Sequence, residues 1–227
     1  AEKLAERLSA VLPAGEAPVY PPPPSVSSSE TREIRVPHPA SQAHLYLGTV
    51  AIARDDPDFF PLVVGNYILG GGGFVSRLMT EVREKRGYAY SMYSNFSPQK
   101  QAGPFEIVLE TRKEQADDAL KLTLGVLSDF LEKGPTAAEL AAAKAYLTGS
   151  FPLRLDSNQK ILGQVATIGI YGLPLDYLAR YRERIDAVKV ADIRAAFSRH
   201  VHLDRLVSVM VGAQDAAKAP GTGEEVQ

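Results

Sequence analysis

The sequence predicts an α+β fold: a two-layer sandwich of a mainly antiparallel sheet with helices on one face. Three observations predict it. Between Arg32 and Thr111 apolar residues alternate in several short runs, the period of half-buried strands. From Glu114 the period lengthens to that of helices. A last alternating run, Leu206 to Val211, returns the chain to the sheet.

Each element has its own warrant. Leu4, Leu8, Val11 and Leu12 form one stripe, so residues 2–12 read as a short helix. Pro13, Gly15, Pro18, the prolines from Pro21 to Pro24 and the serines from Ser25 to Ser29 read as a linker. Residues 1–29 are thus a helix and linker, 30–213 the main domain, and 214–227 a polar, disordered tail. Arg32 to Val36 and His44 to Ala53 read as strands, rich in β-branched and aromatic residues. Pro57 suits the first position of a helix running toward Leu69, which the run Gly70 to Gly73 stops. Val75, Leu78, Met79 and Val82 mark the buried face of the next helix, with Gly87 as its C-terminal cap. Tyr88 to Phe96 and Phe105 to Thr111 alternate and pair across residues 97–104. Tyr88, Tyr90 and Met92 share one face of that strand, as core or as site.

In the helical block, Ala119, Leu122, Val126, Leu127 and Phe130 make one face, and Gly134-Pro135 ends it. Thr136 and Glu139 form a capping box that opens a helix reaching about Ser150. Ser157 to Tyr171, Asp176 to Asp186 and Lys189 to His200 read as further helices. Glu139 and Asp176 are helix-start residues, not an acid pair for catalysis. No short-period internal repeat is present.

Composition excludes several classes of function. The net charge of −2 gives no basic footprint for nucleic acid. No apolar run is long enough to span a bilayer as a helix. With no cysteine, disulfides, thiolate catalysis and cysteine-ligated zinc are absent. The N-terminal stretch lacks the basic leader and apolar run of a signal peptide. It starts without Met or cap and reads as a processed product or a piece of something longer.

The chemistry concentrates in Gly70 to Ser94, GGGGFVSRLMTEVREKRGYAYSMYS. Arg83 and Tyr90 lie seven residues apart across a glycine turn. A guanidinium and a phenol so placed can both hydrogen-bond a peptide carbonyl. Arg83 also fits a solvated helix face, inside the mixed charge run Glu81 to Arg86. Gly70, Gly71, Gly72 and Gly73 lack the Gly-Lys-Ser/Thr ending of a phosphate loop. They read as a turn that lets a helix approach the sheet, and as a groove edge or hinge. Among four histidines, His38, His44, His200 and His202, no pair has metal-ligand spacing with a nearby acid, except Asp204 after His200-Val-His202. That pair reads as structural or solvated.

Five blocks in order resemble the second, non-catalytic domain of M16-family zinc metallopeptidase subunits. They are SQAHLYLG from Ser41, SRLMTEVREKRGYAYSMYS from Ser76, AAAKAYLTGSFPLRLDS from Ala141, YGLPLDYLARYRERIDAVKVADI from Tyr171 and RLVSVMVG from Arg205. The resemblance covers about residues 30–212. It implies the M16 peptidase/LuxS-like α+β domain. The family's catalytic halves carry His-x-x-Glu-His; the corresponding helix here reads FFPLVVGNYIL, without a metal ligand. The resemblance therefore implies no cofactor in this chain and zinc in a partner domain or subunit. It places the family's substrate-binding Arg and Tyr on Arg83 and Tyr90, gripping a peptide in trans across a homo- or heterodimer. It implies a bacterial periplasmic setting, with mitochondrial matrix or cytoplasm as others. Two readings stay open beside it: a structural or assembly protein like the respiratory core proteins, and the second domain of an active subunit whose zinc domain lies upstream.

Overall fold

A computed structural model describes residues 2–11, Gly15 and 30–212. Most of the expected linker and the expected tail lie outside the described residues. The five strands are β1 (Arg32–Val36), β2 (Gln42–Ile52), β3 (Ser91–Phe96), β4 (Gly103–Arg112) and β5 (Val207–Val211). Their order in the sheet is β1-β5-β2-β4-β3. Only β1 and β5 run parallel; the other neighbours are antiparallel. The fold is the expected two-layer α+β sandwich. The final strand, however, inserts between β1 and β2, a placement that periodicity cannot convey.

Alternation in β2 and β4 sends Ala43, Leu45, Leu47, Phe105, Ile107 and Leu109 inward, all nearly or fully buried. The helices cover that face: α2 (Phe59–Asn66), α3 (Ala116–Lys133), α4 (Ala137–Gly149) and α7 (Val190–His200). Phe130 of α3 meets Phe197 of α7 edge-on, with ring centroids 4.9 Å apart. Two further helices are α5 (Asn158–Tyr171) and α6 (Tyr181–Ala187); α1 (Glu2–Val11) precedes the sheet. On the opposite face one apolar row crosses every strand in register: Ile34, Val209, Tyr46, Val108 and Tyr93.

Several expectations need correction. Pro57 lies outside α2, whose N-cap is Asp58. The turn before α2 is closed by the Asp58 N–H, which donates to the Asp56 carboxylate at 2.8 Å. The run Gly70 to Gly73 ends the helix as expected, but only after α2 widens into a π-helical turn over Tyr67–Gly71; the chain leaves it at Gly72, and Gly73 has φ of 61°. Gly70 is needed for contact: a Cβ there would collide with Ser94 Oγ and stand 2.6 Å from the Ser94 backbone nitrogen. Asn66 locks the same junction. Its amide donates to the Ser94 carbonyl at 3.0 Å and accepts from the Ser94 hydroxyl at 2.7 Å.

The next helical segment is also π-helical, over Met79–Glu84. It buries Leu78, Met79 and Val82, but Val75 is 73% exposed in the short turn before it. Tyr88, Tyr90 and Met92 do not share a face. Ala89 and Met92 are buried, whereas Tyr90 and Ser91 are exposed, so the alternation slips at the entry to β3. In α3, Leu122 and Val126 are half-buried, and Leu120 and Thr123 are buried beside the expected Ala119, Leu127 and Phe130. Residues 176–180 form a turn, and α6 begins only at Tyr181.

The expected capping box is present: the Thr136 hydroxyl accepts from the Glu139 N–H, and the Glu139 carboxylate accepts from the Thr136 N–H. The Glu139 carboxylate also takes a bidentate pair from Arg77, at 2.6 and 2.7 Å. Arg77 in addition donates to the Gly134 carbonyl at 3.0 Å. This clamp ties the entry of the second π turn to the α3–α4 loop. The Arg77 guanidinium holds the Glu139 carboxyl at about 2, against burial, which opposes ionisation.

Gly70→Ala is expected to lower stability by about 1–3 kcal/mol through overpacking, while Gly163→Ala in α5, where a Cβ meets nothing within 4 Å, is expected to raise it by about 0.5–1 kcal/mol. Urea denaturation of both reads the contrast; equal effects would remove the close-approach argument. The Glu139 carboxyl has a folded-state pKa below its ordinary 4.5, so its contribution is present above 4.5 and lost as pH falls toward 2. Glu139→Gln is expected to be less stable at neutral pH and to lose less of its thermal midpoint across that window. Parallel pH profiles for the two proteins would contradict it.

Candidate functional site

The segment from Gly70 to Ser94 leaves α2, crosses two π turns, reverses at Gly87 and enters β3. The reversal closes by two backbone hydrogen bonds. The Gly87 N–H reaches the Arg83 carbonyl at 2.8 Å, and the Tyr88 N–H reaches the Val82 carbonyl at 3.0 Å. Gly87 has φ of 65°, a conformation that a side chain resists. Arg83 and Tyr90 thus stand on the two arms of one turn.

Each has its own support. The Arg83 guanidinium carbon lies 4.7 Å from the centroid of the Phe74 ring. Among the described residues no carboxylate pairs with Arg83, so its N–H fork remains free to meet an acceptor. Tyr90 is docked at its backbone, where its N–H donates to the Glu110 carbonyl at 3.0 Å. Tyr90 is 53% exposed. The Arg112 Nε–H donates to the Tyr90 hydroxyl oxygen at 3.2 Å. That bond raises the Arg112 guanidinium pKa above its ordinary value. It also leaves the phenolic hydrogen of Tyr90 free to donate outward. Phe74 and Arg112 were not among the expected site residues. Arg112 becomes Tyr90's neighbour through the register that sets Ser91 opposite Glu110.

An open cleft of about 460 Å³ lies between the start of the second π turn and α3, lined by Val75, Arg77, Thr80, Leu122, Val126 and Glu139 among others. Neither Arg83 nor Tyr90 lines it. Gly70 is buried in the junction of α2 with β3, whereas Gly71 is exposed and Gly72 half-buried, and of the four only Gly73 has a positive φ.

No residue of α2, Phe59 to Asn66, carries an imidazole, thiol or carboxylate, so the helix cannot hold zinc. The histidines divide. His202 faces the Arg199 carbonyl at 3.0 Å, apart from His200 as a ligand pair. His200 does have nearby acids, from the far end of the chain: Asp58 at 2.9 Å and Asp56 at 3.7 Å. These three side chains could surround a cation. Arg199 already supplies the positive charge there, with both Asp58 oxygens bonded at 2.6 and 2.7 Å. The Arg199 bond, with help from His200, holds the Asp58 carboxyl below its ordinary range. The cluster reads as an ion-pair network joining α2 to α7.

Comparison with known proteins agrees with the fold and with the missing ligands. The family model described as the peptidase M16 inactive domain matches residues 1–147. A Helicobacter pylori protein named non-peptidase homolog YmxG is 32% identical over 203 residues, covering 88% of this chain and 46% of its own. An uncharacterized zinc protease of Streptomyces coelicolor is 39% identical over 124 residues, covering 55% of this chain and 27% of its own. The crystal structure of a peptidase M16 inactive domain from Pseudomonas fluorescens superposes with a TM-score of 0.85 at 41% identity. It matches 95% of this chain and 51% of that one. The chain therefore spans about half the length of the Helicobacter relative and of the Pseudomonas structure. With a model match over most of its length, the chain belongs to the peptidase M16 inactive-domain family.

Proposed function

We propose that this chain is the non-catalytic, substrate-holding half of an M16-type zinc metallopeptidase. The observation that carries the proposal is the pairing of an α2 without metal ligands with an exposed Tyr90 and, on the same turn, an Arg83 that no carboxylate among the described residues pairs. The partner would be a zinc-bearing domain or subunit, in the same polypeptide or in a second one. Zinc bound in that half would supply the activated water. The residues of this chain would bind and orient the peptide. Arg83, stiffened over Phe74, would donate to a backbone carbonyl. Tyr90, its oxygen held by Arg112, would donate its hydroxyl to the same carbonyl or its neighbour. Such donors stabilise negative charge that develops on a carbonyl oxygen.

A second reading, a structural or assembly role on the same fold, is favoured by the non-peptidase name of the Helicobacter relative. Substitution separates the two. In an assembly with a zinc-bearing half, Arg83→Ala and Tyr90→Phe are each expected to lower peptide turnover by about 10- to 1000-fold. Turnover indifferent to both changes would leave the scaffold reading. The chain assayed alone with added zinc is expected to cleave nothing, and metal-dependent cleavage by it would overturn the proposal.

A further inference from the structure

Helix α5 is well specified at its ends and nearly unburied between them. The Ser157 side chain caps it by accepting from the Lys160 N–H, and Gly172 ends it in the left-handed conformation. Ile161, Val165 and Ile168 fall on one stripe at spacings i, i+4 and i+7, with Leu162 and Gly169 beside it. That is the pattern of a helix that faces a core. Yet only Ile168 is buried. Ile161 is 42%, Val165 53% and Leu162 67% exposed. An isolated helix of this length is marginal in water without a packed face. Two interior glycines, Gly163 and Gly169, weaken it further, and neither has anything within 4 Å of where a Cβ would be.

The charge pattern identifies the kind of partner. The only charged residue of α5 is Lys160, and it is already held by Asp156 at 2.9 Å and the Leu153 carbonyl at 2.8 Å. The exposed stripe is therefore neutral and apolar, like the core of a permanent interface rather than a rim that steers transient partners. The Pseudomonas structure and the Helicobacter relative each carry about as much chain again beyond the matched half. We infer that the Ile161–Leu162–Val165 face of α5 is the docking surface for the other, zinc-bearing M16 half. The inference rests on the two-half reading proposed above. It assigns α5 to assembly and leaves Arg83 and Tyr90 to the substrate.

The absence of cysteine gives a clean test. Leu162→Cys and Val165→Cys each install a single thiol on a solvated position, so the fold of the chain is expected to survive; its thermal midpoint checks this. Both thiols are expected to react with a maleimide in the chain alone and to be protected once the zinc-bearing half is present. Leu162→Glu and Val165→Glu are each expected to weaken that assembly by about 10-fold or more. Equal labelling with and without the other half overturns the inference. So does disulfide cross-linking of the single-cysteine chain to itself, which would make the occupant a second copy. Arg83→Ala is expected to leave the protection intact. Unchanged cleavage by that variant with protected thiols would refute the substrate role while the docking surface stands.

Discussion

The arrangement of the whole site depends on one contact, the junction of α2 with Ser94 of β3. Ser94 is buried, its hydroxyl and carbonyl are both bonded to Asn66, and its backbone lies against Gly70. Leaving either of these Ser94 groups without its partner would cost about 1–3 kcal/mol. The exchange of hydrogen bonds therefore sets where the first π turn lies on the sheet. The second π turn, the reversal at Gly87 and the entry into β3 all follow from that start. Arg77 fixes the middle of the same segment by holding the α3–α4 loop through Glu139 and Gly134. One buried and one half-buried anchor thus hold a turn whose proposed substrate-binding side chains, Arg83 and Tyr90, reach solvent.

Much of the fold was readable from the sequence, and the reasons differ by element. The strands and α3, α4, α5 and α7 showed clean periods or caps, so their existence and approximate limits were within reach of local rules. The place of β5 between β1 and β2 was not, because strand order is a long-range property. The role of Gly70 to Gly73 was only half visible. Glycine signals both a break and a close approach, and the deciding atom, Ser94, is a strand away. Val75 matched an apolar helix position, but the chain turns there before the π segment starts. Tyr90 and Met92 were assigned one face by simple alternation, which the slip at the entry to β3 undoes.

The site shows the same division. Arg83 and Tyr90 stood out because their residue types fit a peptide carbonyl and a glycine separates them. Their supports, Phe74 and Arg112, carried no local signal: one is a stacking platform before the segment, the other lies across a strand pair. The Asp58–Arg199–His200 network was invisible for a similar reason, since Asp58 and His200 stand 142 positions apart. Its geometry also shows why proximity of ligand-type residues is weak evidence for a metal. A guanidinium that satisfies both carboxylate oxygens already occupies the cation's place.

The two widened helical turns carry a consequence for how this segment can vary. A π turn is an α-helix with one residue inserted, and each α-helical residue advances the side chains by about 100°. Deleting a single position between Met79 and Glu84 would let that stretch relax to the tighter helix. It would also rotate everything downstream by roughly that angle relative to the sheet. Arg83 would swing off the Phe74 ring, although no residue it touches had been altered. Sequence length in this stretch is thus a determinant of where the guanidinium aims, as strict as the identity of the residue that bears it.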